Sequence, residues 1–397
     1  MHARFLRNDG SKKNAWLTVA GSFMVYYSTC GIINSFGFFQ SHYERKFDHN
    51  FSPTKVAFIG TFQLFLMNLL GSISGTLCDA FGVKYLYVGS GIGTASAFLT
   101  LSFVSTGAYW QVFLIQGIFM GVAMAFSAQP AITVVGQYFT EKRALAMGMV
   151  SAGGAVGGIC FPIFFSKLLD TVGVAWTMRI TAIKIIICYS TALVISTAKF
   201  KGKTLDYRAR ALYDFGGFMQ TEYWVLCIGA FLAQLGLWVP SYYIESYCII
   251  AYPGTHLAKY LLSTMGGLGL LGSVVGGAAG DMIGRLNVLW PTTMTLGILC
   301  LSIWLIEPSL PILIVFGCLY GFSWGQFLAL LPSAIGQICP EEKLGARMGA
   351  FYSVVSIAGL LGTPIGGALS SATKAVITAS ERLLRRTASL DQRYGAV

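Results

Sequence analysis

The decapeptide Gly75-Thr76-Leu77-Cys78-Asp79-Ala80-Phe81-Gly82-Val83-Lys84 separates two long apolar runs. Its glycines permit a tight helix-loop-helix turn, because a residue without Cβ adopts backbone angles closed to others. A carboxylate placed there, at a helix end, can pair with basic groups and cap a neighbouring helix. A contact of that kind, made in one conformational state only, would favour that state until it is broken. A degenerate second copy holds Gly277, Asp281, Gly284 and Arg285, with Asp79 and Gly82 matching Asp281 and Gly284 at an offset of 202.

Other landmarks share nearly the same offset. Gly136 and Gln137 precede Glu141, Lys142, Met147 and Gly148, as Gly336 and Gln337 precede Glu342, Lys343, Met348 and Gly349. Each set leads into a glycine-rich apolar run with a proline, Pro162 in one copy and Pro364 in the other. Two homologous helical bundles follow, the parallel-repeat plan in which halves rock about a central site.

The bulk composition says where such bundles live. Of 397 residues, 55% are hydrophobic and 11% charged, against roughly 25% charged in soluble domains. A water-soluble fold, a disordered chain, a collagen and a coiled coil are excluded. The 47 glycines and 28 phenylalanines fit lipid, where small residues allow close helix contact and aromatics mark interfaces. A bilayer core about 30 Å thick takes roughly 20 apolar residues per helix. Eleven runs qualify: Ala15 to Phe39, Val56 to Leu77, Tyr85 to Ser105, Trp110 to Val135, Ala144 to Leu168, Trp176 to Ala198, Trp224 to Tyr247, Tyr260 to Gly280, Leu289 to Ile306, Ile312 to Leu331 and Ala350 to Leu369.

The formal charge of +11 reports orientation. With the N-terminus in the cytosol, that side carries 15 Lys and Arg, among them Arg4, Lys84, Lys142, Lys201, Arg285 and Lys343. The opposite side has five, Arg45, Lys46, Lys55, Lys167 and Lys259. The asymmetry places the N-terminus in the cytosol of a multi-pass protein, with the plasma membrane as the expected location. No nucleic-acid partner is needed to explain the basic balance. The nine cysteines form no CxxC pair and no His cluster accompanies them, so no metal or disulfide framework is expected. No Walker loop and no catalytic constellation occurs, so neither an enzyme, a cofactor nor ATP drive is expected.

The repeat also exposes a gap. The sixth run should recur near 378–397, but that stretch carries Glu381, Arg382, Arg385, Arg386, Asp391 and Arg393. Central charges each cost about 2.5–3.5 kcal/mol to insert, so the stretch is a basic, non-spanning tail. It is read as a shortened or alternatively spliced end, with an amphipathic surface segment as the alternative. The expected organisation is a cytosolic segment 1–14, a six-span bundle 15–198, a cytosolic linker 199–221, a five-span bundle 222–373 and the tail 374–397.

The decapeptide resembles the signature loop of the major facilitator superfamily, G-x-L-x-D-x-x-G-x-[RK], at Gly75, Leu77, Asp79, Gly82 and Lys84. Within that superfamily the chain is most similar to the monocarboxylate porter family in its fungal branch. The likeness rests on Ser35-Phe36-Gly37, on Tyr138 and Phe139 through Arg143, Ala144, Ala146 and Gly148, on Trp176 and Arg179, and on Pro240, Tyr242 and Tyr243. It implies an all-α polytopic major facilitator fold, two six-helix-type bundles with the last helix missing or replaced. It also implies a gating role for Gly75, Asp79, Gly82, Lys84, Asp281, Gly284 and Arg285. The animal lactate carriers of this family use a lysine in the first span and an aspartate with an arginine in the eighth. Asn34, Gly269 and Ser273 fall at those positions here, which removes the acid-base apparatus of that mechanism.

Ionisable and polar residues inside spans are candidate site residues by default. Arg179 and Lys184 of the sixth span are candidates to attract an anion. In the seventh, Gln234, Trp238, Ser241, Tyr242 and Glu245 recur at helical spacing along one face, with Pro240 bending the helix. Tyr27, Gly31 and Asn34 share a face of the first span, and Gln326 is a further candidate. The expected function is secondary transport of a small organic anion by alternating access. The alternatives are efflux of a fungal secondary metabolite, a sensor that binds without net flux, or an inactive shortened product.

Overall fold

The computed structural model describes residues 9–46, 53–104, 108–196, 215–252, 258–303, 309–362 and 364–366. Every element is helical. In chain order they are α1 (Asp9–Asn34), α2 (Phe36–Lys46), α3 (Pro53–Leu69), α4 (Gly71–Phe81), α5 (Lys84–Leu101) and α6 (Tyr109–Val112). A π-helical stretch, Phe113–Phe119, leads from α6 into α7 (Met120–Tyr138), followed by α8 (Arg143–Ile195), α9 (Thr221–Leu237), α10 (Val239–Ala251), α11 (Ala258–Ile283), α12 (Arg285–Ser302) and α13 (Leu310–Ile338). The last, α14, spans Leu344–Gly366. Short 3-10 turns at Phe215–Met219 and Glu341–Lys343 precede α9 and α14.

Wherever they are described, all eleven apolar runs fall on helices, interrupted by turns at Ser35, Leu70 and Trp238 and ending in turns at Ser102 and Ile303, and no strand occurs among the described residues. Among the described residues, seven helices are long and apolar enough to cross a membrane, or eight if α3 and α4, bent by 41°, form one crossing. At 53 residues α8 is more than twice the length one crossing needs. It kinks at Gly173 (φ 76°, ψ 175°), between the fifth and sixth runs. That region is open essentially to glycine alone. Helices α1 and α2 meet at Ser35, whose hydroxyl donates to the carbonyl of Gly31 at 2.6 Å alongside its own N–H at 3.1 Å, a shared acceptor of the kind that bends helices.

Large apolar side chains remain exposed around the perimeter, Ile92, Leu301 and Val194 among them, as lipid-facing surfaces require. Inside, glycines set the spacing. The first half of α8 lies against α1, where a Cβ at Gly153 would meet the Phe23 carbonyl and one at Gly157 the carbonyl of Tyr27. Helices α11 and α13 meet the same way at Gly272 and Gly325. Residues 199–214 of the linker 199–221 and the whole tail 374–397 lie outside the described residues.

Candidate functional site

Two sets of contacts, related by the internal repeat, join the halves at the end where Asp79 and Asp281 lie. Asp79, in the last turn of α4, accepts the backbone N–H groups of Gly345 (3.3 Å) and Ala346 (3.1 Å) in the first turn of α14. Asp281, in the last turn of α11, accepts those of Ala144 (3.1 Å) and Leu145 (2.8 Å) in the first turn of α8. Each signature carboxylate thus caps a helix of the opposite half. The first N–H groups of a helix lack internal partners and carry the positive end of its dipole.

Glycine makes the approach possible. A Cβ at Gly75 would run into the carbonyl of Gly345, and one at Gly349 into that of Gly71. On the other diagonal, Gly277 lies against the Ala144 carbonyl and Gly148 against that of Ser273. Gly82 (φ 77°) and Gly284 (φ 110°), each three residues after its aspartate, take positive φ as the sequence motif requires.

The side chains around the two carboxylates are less symmetrical. Gln137 donates to Asp79 at 2.9 Å, whereas Asp281 pairs with Arg285 at 3.3 Å. Arg285 also donates to the Thr140 carbonyl at 2.8 Å. Lys84 is exposed at the start of α5. Arg143 has no counterpart, since Leu344 stands 201 positions on. Its guanidinium donates to the carbonyls of Phe139 (2.8 Å) and Gly136 (3.1 Å) at the end of α7, and to that of Gly336 at the end of α13. Glu341 approaches it at 3.9 Å. A cation on the carbonyl ends of two helices, one from each half, is favoured by both dipoles.

Behind this closed end lies an open cavity that includes Tyr26, Asn34, Asn68, Gln129, Gln234 and Tyr352 in its walls. A second, narrower space adjoins it, with Ser241, Tyr242 and Trp324 in its lining. Asn34, Ile33 and Trp238 border both. The predicted stripe on the seventh span therefore runs along the cavity, through Gln234, Trp238 and Tyr242. The side chain of Glu245 lies outside the described residues. Asn34 donates to the Gly154 carbonyl at 3.1 Å, which leaves its amide oxygen for other partners.

Four candidates are held elsewhere. The Lys184 ammonium sits 4.3 Å from the ring centroids of Phe161 and Phe164 and 5.0 Å from that of Tyr27. Three rings supply the electrostatic partner that a carboxylate would otherwise provide. Tyr27 belongs to this cage rather than to the cavity, where the neighbouring Tyr26 stands instead. Arg179 lies over Phe103 (5.1 Å) and Trp176 (5.0 Å), and its Nε donates to Ser102 at 3.4 Å. Gln326 accepts from Thr292 at 3.2 Å, on the side facing α12. Sequence reasoning missed Tyr26, Asn68, Gln129, Trp324 and Tyr352. The spacing of Tyr26, Cys30 and Asn34, four residues each, was the available signal for the first of these.

Comparison with known proteins agrees with this arrangement. The family model of the Major Facilitator Superfamily matches residues 15–247 and 226–376. The MFS transporter asaE of Aspergillus flavus is 32% identical over 355 residues, 89% of this chain and 80% of its own length. The agnestins efflux protein of Paecilomyces divaricatus is 33% identical over 353 residues, 89% of this chain and 80% of its own. The aspyridones efflux protein of Emericella nidulans is 32% identical over 363 residues, 91% and 72% of the two chains. Among solved structures, the human organic anion transporter MFSD10 superposes with a TM-score of 0.71 over 90% of this chain and 93% of its own. At 13% identity that likeness speaks to the fold alone. Family model, relatives and helical architecture agree that this chain is a member of the major facilitator superfamily.

Proposed function

We propose that the chain is an efflux carrier that moves a small organic compound across the membrane by alternating access. The carrying observation is the reciprocal capping by Asp79 and Asp281, which closes one end of the molecule over an internal cavity. A carboxylate at a helix N-terminus contributes about 0.3–1 kcal/mol when exposed and up to ~2 kcal/mol when partly buried. Two such caps bias the closed arrangement by roughly 2–4 kcal/mol, a ratio on the order of 30 to 1,000. That is firm enough to hold a gate and weak enough for a ligand to reverse.

Outward direction and a secondary-metabolite cargo draw support from relatives named as efflux proteins for agnestins and aspyridones. The narrower reading, an organic anion of the monocarboxylate type, has less behind it. Arg179 and Lys184, the cations expected to attract such a cargo, rest on aromatic rings away from the cavity. The excess of Lys and Arg on one side supports a cytosolic N-terminus, which makes the closed end the cytosolic one, with the plasma membrane as the site of action. In this scheme 15–198 and 222–373 are the moving bundles and 199–221 joins them.

Flux tests the reading. The purified chain is reconstituted in vesicles and challenged with a panel of labelled aromatic and aliphatic organic compounds. Carrier-dependent accumulation that falls at least fivefold in Asp79→Asn supports it. Binding without accumulation of any compound would instead make the chain a sensor.

A further inference from the structure

The cavity walls carry information about cargo that the gate does not. Among the described residues neither space is lined by Asp, Glu, Lys, Arg or His. An ionised carboxylate taken into such a place would leave water and find no counter-charge, which is strongly unfavourable.

The polar equipment of the smaller space is biased toward donors. The indole nitrogens of Trp238 and Trp324 and the hydroxyls of Tyr242 and Ser241 are buried atoms with no hydrogen-bond partner among the described residues. Trp238, Trp324 and Tyr242 are 7%, 5% and 5% exposed. An indole N–H can only donate, and native proteins seldom leave such groups unpaired. The same residues form an aromatic wall: the Trp238 and Trp324 rings meet edge to face at 5.6 Å, and Tyr242 stands 6.2 Å from Trp238.

We propose that the two adjoining spaces together receive an uncharged, ring-bearing organic molecule whose acceptor oxygens enter the smaller one, held there by the N–H groups of Trp238 and Trp324 and the hydroxyls of Tyr242 and Ser241. The inference rests on the transport reading for its biological meaning and gives that reading a cargo class. Rings on the ligand would stack against the aromatic wall, and its carbonyl or ester oxygens would satisfy the unpaired donors. A charged analogue of the same skeleton is excluded by the lack of a cation.

The test uses matched probes: methyl 2-naphthoate against 2-naphthoate, and methyl coumarin-3-carboxylate against coumarin-3-carboxylate. Each is titrated calorimetrically into the full chain in lipid nanodiscs, with protein-free nanodiscs subtracted. The expected result is binding of at least one ester tenfold or more tighter than its carboxylate. Trp238→Phe and Trp324→Phe, which keep a ring and remove the N–H, should each weaken that ester about fivefold, the worth of one neutral hydrogen bond. Tighter binding of the carboxylates, no binding of either ester, or ester binding indifferent to both substitutions overturns the proposal. The two readings fail separately. A chain that exports anions and ignores the tryptophan changes keeps the transport reading and loses this one. A chain that binds esters through both indoles and moves nothing does the reverse.

Discussion

The carboxylate of Asp79 accepts the backbone N–H of Ala346 at 3.1 Å across 267 positions of sequence, so the last turn of α4 in one half caps the first turn of α14 in the other. Asp281 and Leu145 repeat the relationship at 2.8 Å on the opposite diagonal. Because both caps join the halves at one end, opening that end breaks four backbone hydrogen bonds to carboxylates together.

Asp79→Asn should lower transport about tenfold, with folded yield within a factor of two of the wild type. The amide keeps one acceptor but gives up the charge, and hydrogen bonds to charged groups are worth about 1.5–3 kcal/mol against roughly 1 for neutral ones. Initial rates in vesicles and monodispersity on a sizing column check both halves of the statement. Asp281→Asn should behave alike.

Steric blockade should reach the same end by another route. Gly75→Val would drive a branched side chain into the Gly345 carbonyl, so the closed contact could not form and labelling of nearby residues by a membrane-impermeant thiol reagent should rise severalfold. Gly89→Ala is the control: nothing lies within 4 Å of a Cβ there, and alanine in a helix interior should stabilise by about 0.5–1 kcal/mol.

Gly82→Ala tests the turn itself. With φ 77° and ψ −176°, the position is open essentially to glycine, and forcing a Cβ there costs about 1–3 kcal/mol. The thermal midpoint of the purified protein should fall, measured by intrinsic fluorescence, and Gly284→Ala should lower it too.

Lys184→Met separates cage from cavity. The ammonium lies on three aromatic rings, and a buried cation–π contact is worth on the order of 1–2 kcal/mol. Thermal stability should change while transport of an uncharged compound stays within twofold. A loss of transport tenfold or greater at unchanged stability would return Lys184 to the binding site.

How far residues announce these arrangements depends on what fixes them. Gly75, Asp79, Gly82 and their partners near 281 were legible because a turn, a cap and a positive φ are local demands that restrict residue type. The reciprocity was not, since nothing local says that Asp79 reaches Ala346 rather than a neighbour on its own side. The face of the first span came out one residue off, Tyr27 for Tyr26. The small polar residues of α1, Thr18, Ser22, Ser28, Thr29 and Asn34, are spread round the helix, and without one polar face a period of 3.6 gives no direction. The stripe through Gln234, Trp238 and Tyr242 was readable because polar groups there break an otherwise apolar run. Lys184 drew notice for the same reason, but only the packed structure shows that Phe161, Phe164 and Tyr27 accommodate it.

The most direct measurement is the distance between spin labels on Lys142→Cys and Lys343→Cys, one in each half at the closed end, in a chain whose nine cysteines are replaced. In nanodiscs, pulsed electron resonance should give two populations, a dominant short distance and a minor long one, with the long one becoming the larger in Asp79→Asn/Asp281→Asn. A single distance, unmoved by that double substitution, would contradict a gate held by the two reciprocal caps.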